Sequence, residues 1–495
     1  MGGRCVVRSA VLKGVAAIPV EVEVVVSHGV VAFNVVGMAD AAVQESRERV
    51  RAALRQSGFA MPADRVLVNL APSSLRKTGS GLDLAIALGI LVATGQVPPE
   101  VSEGRLFVGE LSLDGRVRPV AGLLAYGLCA RDQGCQLVCS CRAEGLIPIE
   151  GLEAAGLGCL GDLQRQGFGP VDCGSREVPP DQPDFIDISG NEVAKRALQV
   201  AAAGGHGVLM MGPPGSGKTM LASRLPSIMP PLDPDEMLQC ALVHSVAGED
   251  TAPVLAGRRP FRSPHHSATS PSLIGGGSPV KPGEISLACH GVLFLDELAE
   301  FKPSVLQQVR QPLEEGTVRI ARAEGTVAFP ARFMLVGASN PCPCGYFGDA
   351  RHECTCSPAQ IQAYQNRIGG PLMDRIDIHI DVCRVDPRDV IASRKGTGSD
   401  ALREGVLKGR EYASWRRART GEDRPARSPA GSCRLDAAGQ DVLDAAARAH
   451  GMSGRGIVRT LSIARTIADM EEAPRVSVDH LYEALALRLR AGSGA

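Results

Sequence analysis

The sequence predicts an α/β protein with three parts: an N-terminal α+β domain, a core with a parallel sheet, and a C-terminal helical lid. At 495 residues, the chain is too long for a single hydrophobic core. In its middle part, short apolar segments alternate with helical patterns, which is typical of a parallel sheet. One of these segments leads directly into the glycine-rich motif GPPGSGKT, and the last part of the chain has only helical patterning.

The N-terminal domain, residues 1–174, is predicted to combine strands of alternating polarity with two helices. Its elements are a strand containing Val20, Val22, Val24 and Val26, a helix over Ala41–Gln56, a strand over Arg65–Leu70, a helix over Leu82–Ala93, and strands with turns over Leu106–Pro119. The proline-rich segment Ser175–Pro183 is expected to be an extended, exposed linker.

The core, residues 184–385, contains four apolar segments without polar alternation, a pattern typical of strands buried on both faces. These are Val208–Met211, Val292–Leu295, Phe333–Gly337 and Ile376–Val382. The C-terminal domain, residues 386–495, is rich in Ala, Arg and Leu and is predicted to be helical. A polar stretch, Thr420–Ser432, is expected to form a loop within it.

The overall composition is that of a soluble globular protein, with 44% hydrophobic and 22% charged residues. The valine-rich stretch Val20–Val36 is interrupted by polar residues, so we expect no membrane span, no membrane partner and a cytoplasmic location. The net charge of −1 excludes a global basic field but not a local basic surface.

The motif GPPGSGKT has the form and the context of a P-loop, between an apolar strand and a helical pattern. Its glycines let backbone N–H groups surround phosphates at a helix N-terminus. Lys218 is expected to contact the β- and γ-phosphates of ATP, and Thr219 to bind Mg²⁺. The predicted nucleotide-binding residues are Gly212, Pro213, Pro214, Gly215, Ser216, Gly217, Lys218 and Thr219.

Two further apolar strands end in polar residues that suit ATP hydrolysis. The segment GVLFLDE, Gly291–Glu297, places Asp296 for Mg²⁺ and Glu297 for activating the attacking water. The alternative is a buried strand whose carboxylates cap the next helix. Asn340, at the end of FMLVGASN, is predicted to touch the γ-phosphate or the water, although Asn is also a common turn residue.

Four cysteines form two CxC pairs shortly after this strand. Four thiolates in a compact loop match the tetrahedral chemistry of structural zinc, although CxC is a less usual spacing than CxxC. Free thiols and disulfides are the alternatives, and a reducing compartment disfavours the latter. The predicted Zn²⁺ ligands are Cys342, Cys344, Cys354 and Cys356.

Together these motifs resemble the magnesium-chelatase-like AAA+ ATPases, and more closely their YifB/ComM branch. The matching stretches span nearly the whole chain: FNVVGMAD, ESRERVRAAL, GPPGSGKT, FRSPHHSATSPSLIGGG, LFLDE, ASNPCPCGYFGD, PLMDRIDIHIDV and SGRGIVRTLSIARTIAD. The resemblance implies a homo-hexameric ring with ATP at the subunit interfaces. It assigns the sensor-1 role to Asn340, the arginine finger to Arg375 and sensor 2 to Arg455. By residue chemistry alone, Arg375 is equally suited to a surface salt bridge.

The same resemblance implies a DNA helicase that promotes branch migration of single-stranded or branched DNA during natural transformation, working with recombination proteins. The alternatives are a chelatase-type motor, an ATP-dependent protease and an ATPase that remodels a protein partner. Residues of two insertions resemble pore-facing elements of the family, or else belong to ordinary polar loops. They are Arg262, His265, His266, Gly275, Gly276 and Gly277 in the first, and Arg319 and Arg322 in the second.

A basic stretch of the C-terminal domain, Arg403–Arg427, interleaves basic with aromatic residues. Such a stretch either binds a phosphate backbone and stacks bases, or forms a solvated helix face. The residues concerned are Lys408, Arg410, Tyr412, Trp415, Arg416, Arg417, Arg419 and Arg424.

The N-terminal domain resembles Lon-type peptidase domains over GLDLAIALGILVATG and LFVGELSLDGRVRPVAGLL. Those enzymes use a Ser–Lys dyad, but the two positions fall here on Gly81 and Leu124, and Ser80 lies one residue from the first. We therefore expect a non-proteolytic domain, similar to that of RadA-type recombination proteins, with a role in a DNA channel or in organising the ring.

Overall fold

The computed structural model describes most of the chain. The described residues are 3–143, 145–146, 149–165, 167–173, 182–322, 325–349, 351–368, 370–385, 388, 396–420 and 429–489. Apart from its last two residues, the predicted linker Ser175–Pro183 lies outside the described residues, and so does Arg424.

The N-terminal domain is built on a mixed seven-stranded sheet with the order β3-β4-β2-β1-β5-β8-β9. Its strands are β1 (Arg4–Lys13), β2 (Ala16–Ser27), β3 (Ala32–Val36), β4 (Arg65–Ala71), β5 (Arg105–Phe107), β8 (Gln136–Ser140) and β9 (Ala154–Leu157). A separate small hairpin consists of β6 (Glu110–Leu111) and β7 (Val117–Arg118). The alternation predicted for β2 is confirmed, since Val20, Val22 and Val24 are buried.

The helices of this domain are α1 (Ala41–Gln56), α2 (Asp83–Ala93), α3 (Leu123–Asp132) and α4 (Asp162–Arg165). The bounds of α1 are those predicted, and α2 begins one residue later than predicted. Helix α2 is apolar on nearly all sides and lies buried against β1 and β2. Asp40 caps α1, since its Oδ1 accepts a hydrogen bond of 2.9 Å from the backbone N–H of Val43.

The core contains a five-stranded, fully parallel sheet with the order β11-β14-β17-β10-β18. Its strands are β10 (Val208–Met211), β11 (Phe261–Arg262), β14 (Val292–Leu295), β17 (Met334–Ser339) and β18 (Ile378–Asp381). The predicted bounds of β10 and β14 are confirmed. The prediction for β17 was one residue early at its start and ended too soon, and β18 is shorter than predicted.

Helices cover both faces of this sheet, as buried strands require. The helices of the core are α5 (Glu192–Gly204), α6 (Lys218–Ile228), α7 (Pro234–Ala247), α8 (Ala252–Leu255), α9 (Ser270–Ile274), α10 (Glu284–Leu287), α11 (Pro303–Glu315), α12 (Pro358–Asn366) and α13 (Gly370–Met373). Two hairpins stand apart from the sheet: β12 (Gly275–Gly276) with β13 (Lys281–Pro282), and β15 (Thr317–Arg322) with β16 (Gly325–Pro330).

The C-terminal domain is helical, as predicted. Its helices are α14 (Ser399–Thr420), α15 (Pro429–Cys433), α16 (Ala437–Ala449), α17 (Gly454–Met470) and α18 (Val478–Arg488). The prediction of a loop over Thr420–Ser432 was wrong at its end, because α15 occupies Pro429–Cys433. Proline suits the first turn of a helix, and the buried Cys433 joins the core that the lid shares with the sheet.

The N-terminal domain contacts the core through α3. The backbone N–H of Gly122 donates a 2.8 Å hydrogen bond to the carbonyl oxygen of Ser245, at the end of α7. Leu124 is fully buried in an apolar cluster with Cys240 and Ala241 of α7. The position that corresponds to the peptidase lysine therefore holds an interdomain contact. The hydroxyl of Ser80 donates to the Glu110 carboxylate, so its hydrogen-bond partner in the described part of the chain is an acid and not a lysine.

Candidate nucleotide site

The P-loop follows the carboxyl end of β10 and leads directly into α6. Gly215 and Gly217 have φ angles of 75° and 92°, which glycine adopts without steric cost. A Cβ atom on Gly212 would collide with the carbonyl oxygen of Val382, in the segment after the neighbouring strand β18. The loop is therefore closely packed onto the sheet edge, and its backbone can approach a phosphate group.

Lys218 lies within this loop and is buried. Its Nζ donates to the carbonyl oxygens of Gly212 at 2.7 Å and Pro213 at 3.0 Å, and lies 3.4 Å from Oδ1 of Asn340. Burial lowers the pKa of Lys218, and the nearby carboxylates of Asp296 and Glu297 oppose that shift. The ammonium group is thus held by weak acceptors that a phosphate oxygen can replace.

Thr219 and Asp296 come together at the same edge. The Thr219 hydroxyl donates a 2.7 Å hydrogen bond to Oδ2 of Asp296. A hydroxyl and a carboxylate at this separation offer two oxygen ligands for Mg²⁺. In P-loop enzymes such a pair holds the metal that bridges the β- and γ-phosphates. The chemistry of this donor pair therefore fits the predicted Mg²⁺.

Glu297, the predicted water-activating residue, is exposed and adopts a left-handed backbone conformation with φ of 51°. Its Oε2 lies 3.2 Å from Nδ1 of His266. His266 follows β11 in the first of the two insertions. From the sequence, His266 is either a pore-facing residue that contacts DNA or part of an ordinary polar loop. The contact with Glu297 was missed, because the two residues are far apart in the chain.

Two arginines are predicted to contact nucleotide, Arg375 as the arginine finger and Arg455 as sensor 2. Arg375 is buried, and its Nε donates a 2.6 Å hydrogen bond to Oε1 of Glu314. It precedes β18, so it lies at the amino edge of the parallel sheet, opposite the P-loop. Arg455 is exposed on the first turn of α17.

The four predicted zinc ligands do come together. Their Sγ atoms lie within 4.8 Å of one another, and three of the contacts measure 3.3, 3.6 and 3.7 Å. Zinc–sulfur bonds of about 2.3 Å in a tetrahedron place the sulfurs about 3.8 Å apart. Backbone N–H groups, that of Tyr346 first, lower the pKa of Cys344 to about 6. The geometry of this cysteine loop fits a Zn²⁺ ion.

The cysteine loop packs on the P-loop. A Cβ on Gly345 would lie only 2.7 Å from Cδ of Pro214. Arg384 Nη2 donates to the carbonyl oxygen of Pro214 at 3.3 Å, and its guanidinium lies 5.5 Å from the ring centre of Tyr346. A cavity of about 690 Å³ is lined by the cysteine loop, α12, the start of the P-loop and the segment after β18. Sequence reasoning missed Arg384, because no motif marks it.

The residues predicted to contact DNA divide into two groups. Arg262 forms ion pairs with two carboxylates: its Nη1 lies 2.8 Å from Oε2 of Glu249, and its Nε lies 2.7 Å from Oε2 of Glu284. Arg319 and Arg322 are exposed on β15. A Cβ on Gly276 would lie 3.2 Å from Nη2 of Arg322, so the two insertions are adjacent.

The basic stretch on α14 does not form one uniform basic face. Arg416 is buried and pairs with Asp469 at 2.9 Å, which ties α14 to α17. Trp415 is half exposed, and the guanidinium of Arg419 lies 5.4 Å from its ring centre. The helix therefore combines packing residues with an exposed aromatic–cation pair.

Three family models match successive parts of the chain. They are described as magnesium chelatase, subunit ChlI, over residues 184–390, subunit ChlI of Mg-chelatase over residues 22–142, and the ChlI C-terminal region over residues 396–488. These matches and the parallel sheet identify an AAA+ core, the fold of a class of ATPases.

Similarity to whole proteins assigns the chain to one family within this class. The chain is 37% identical to YifB of Salmonella typhimurium and 35% identical to YifB of Escherichia coli, in each case over 98% of this chain and 96% of the relative. It is 39% identical to the competence protein ComM of Haemophilus influenzae, over 98% of this chain and 97% of the relative. The chain belongs to the YifB/ComM family. Within the described part of this YifB/ComM member, no helix has the length and apolarity to cross a bilayer.

The contact between the P-loop and β18 predicts the effect of Gly212→Ala. The added methyl group collides with Val382, so the loop must shift away from its phosphate-binding position, and affinity for ATP falls by at least about tenfold. Gly169→Ala is the control, because a Cβ there meets no atom within 4 Å. Titration with a fluorescent ATP analogue measures both. Equal affinities for the two variants would contradict this account of the loop.

Proposed function

We propose that this protein is an ATP-dependent, hexameric DNA motor that unwinds or branch-migrates DNA during recombination in natural transformation. One observation carries the proposal. The ATP-hydrolysing carboxylate Glu297 touches His266 in an insertion whose far end lies against the exposed Arg322. A nucleotide site and a basic surface are therefore linked by a short segment of chain. Likeness to ComM, which its name describes as a competence protein, supports the biological setting.

The hydrolysis step follows from the site. Glu297 takes a proton from water as the water oxygen attacks the γ-phosphorus, and the bond to the bridging oxygen of ADP breaks. Lys218 is placed to balance the charge that develops on the phosphate oxygens, and Thr219 and Asp296 would hold a Mg²⁺ ion, which would supply further positive charge there. Asn340, beside Lys218, is suited to orient the water or the γ-phosphate.

The proposed role of Arg375 in this reaction requires a hexamer. The four residues of β18 span about 13 Å, so Arg375 cannot reach the phosphates bound by its own chain. Contact with a γ-phosphate requires a neighbouring copy, and the guanidinium would exchange its contact with Glu314 for one with that phosphate. The same assembly would place Arg455 of the lid near bound nucleotide.

DNA is proposed to contact the hairpin formed by β15 and β16. Arg319 and Arg322 are exposed on one strand of the hairpin, where their guanidinium groups are available to phosphates. The turn between β1 and β2 touches the same hairpin, since a Cβ on Gly14 would lie 3.1 Å from Val327. The N-terminal domain therefore borders the proposed DNA path.

The cysteine loop is proposed to hold a structural Zn²⁺. Four protein sulfurs complete a tetrahedral shell and leave no open position, so the metal would fix the loop and would take no part in hydrolysis. The fixed loop would in turn support the P-loop through Pro214 and Arg384.

The proposal predicts that single-stranded and branched DNA stimulate the ATPase activity. Lys218→Ala and Glu297→Gln should abolish hydrolysis with and without DNA. The variant Arg319→Ala should keep the DNA-free rate and lose part of the stimulation, because Arg319 is exposed on β15 and its substitution removes only a phosphate contact. Arg448→Ala is the control, since Arg448 is 83% exposed on α16, away from both insertions.

Steady-state phosphate release, with and without DNA, measures these rates. Hydrolysis that is indifferent to DNA would refute the DNA motor. It would favour a chelatase-type or protein-remodelling ATPase instead.

The zinc proposal predicts one equivalent of Zn²⁺ per chain in the purified protein, and loss of the metal in Cys344→Ser/Cys354→Ser. Removal of the metal should also weaken ATP binding, because the cysteine loop packs on the P-loop. Metal analysis by mass spectrometry makes the measurement, with Cys383→Ser as the control because Cys383 is an exposed cysteine outside the cluster. A metal-free protein with full ATP affinity would contradict the proposal.

A further inference from the structure

Helix α14 has one face that is fixed by packing. Leu402 and Val406 are buried in the core that the lid shares with the parallel sheet. Further along the helix, the buried Arg416 pairs with Asp469 of α17, with Nε at 2.9 Å from Oδ1. These contacts fix the rotation of the helix about its axis. They therefore also determine which side chains it presents to solvent.

The opposite side of α14 carries a stripe of alternating basic and aromatic side chains. Lys408, Tyr412, Trp415 and Arg419 follow one another at spacings of four, three and four residues. Such spacings place side chains along one side of a helix, here over about 16 Å. Lys408, Trp415 and Arg419 are exposed, and Tyr412 is half-buried. The stripe is thus accessible along its length.

The two rings of the stripe lie side by side, with a cation against one of them. The ring centres of Tyr412 and Trp415 are 5.3 Å apart, and the ring planes are inclined by 38°. The guanidinium carbon of Arg419 lies 5.4 Å from the ring centre of Trp415, within the range of a cation–π attraction. An aromatic surface and a positive charge are therefore held next to each other.

The cations of the stripe differ from the buried Arg416, which is neutralised by Asp469. Among the residues that the structure describes, neither Lys408 nor Arg419 forms an ion pair. Glu404 and Glu411 border one side of the stripe without pairing with either cation. Two positive charges beside the rings are consequently available to an anionic ligand.

This combination of groups suits single-stranded nucleic acid. Unpaired bases expose flat faces that stack on aromatic rings, and the phosphates that connect them reach neighbouring cations. In a duplex, adjacent base pairs cover those faces, so only the phosphates could be contacted. A protein partner would favour a broad apolar patch, which the charged residues of the stripe interrupt.

We infer that Tyr412 and Trp415 stack bases of single-stranded DNA while Lys408 and Arg419 contact the adjoining phosphates. The lid thereby gains a contact with an unpaired strand, in addition to the hairpin formed by β15 and β16. The inference rests on the proposed DNA function. It concerns a different surface, however, so it can fail while that function stands.

The chain offers a direct optical readout, because Trp415 is its only tryptophan. Stacking of a base on the indole quenches its fluorescence. Titration of the full-length protein with a short oligothymidine should therefore lower the emission until it saturates. Half-saturation should require more DNA as the salt concentration rises, and more of a duplex than of a single strand of the same length. A non-hydrolysable ATP analogue at constant concentration keeps the nucleotide state the same throughout.

Anisotropy of a fluorescein-labelled oligothymidine measures binding by variants that lack the tryptophan. Trp415→Ala should weaken binding at least about fivefold, the lower end of the effect of losing one stacked base. Trp415→Phe keeps an aromatic face and should retain most of the affinity. Tyr482→Ala is the matched control, because Tyr482 is an aromatic residue of the same domain that is 56% exposed on α18, outside the stripe.

Equal affinities of Trp415→Ala and the unmodified protein for the labelled strand overturn the inference and leave the DNA motor standing. That holds even if the emission changes, because the indole then senses binding elsewhere. Absence of binding, together with hydrolysis that DNA does not stimulate, refutes the DNA function and the inference with it. Emission that depends on protein concentration and not on DNA indicates a contact between copies of the chain, and it also overturns the inference.

Discussion

The parallel direction of the five core strands is the constraint on which the rest of the structure depends. Because β10, β14 and β17 run the same way, the residues that follow them meet at one edge of the sheet. Lys218, Asp296 and Asn340 are brought together by this geometry. The same direction puts Arg375 at the opposite edge, which is why its proposed role requires another copy of the chain.

Two segments that follow strands at this edge contact the candidate nucleotide site. The cysteine loop follows β17 and packs on Pro214, so a folded cysteine cluster restricts how far the P-loop can move. The insertion after β11 brings His266 to Glu297 and, further along, Gly276 to Arg322. The candidate nucleotide site and the proposed DNA surface are therefore connected by the segment of chain from His266 to Gly276.

The sequence was sufficient for features that depend on local pattern. The bounds of β10 and β14 followed from unbroken apolar runs, and the P-loop from its spacing between a strand and a helix. Contacts between distant segments carry no such signal. Neither the pairing of Arg375 with Glu314 nor that of His266 with Glu297 follows from any periodicity. Helix α15 was missed because its short, small-residue sequence has weak helical propensity and depends on burial of Cys433.

The most direct test of the central claim is strand exchange on a synthetic branched DNA whose arms can migrate. The account predicts that the protein moves the branch point with ATP and Mg²⁺, does not move it with a non-hydrolysable analogue, and loses the activity in Glu297→Gln. Movement of the branch by the protein without hydrolysis, or ATP hydrolysis that never moves the branch on any substrate, would contradict it.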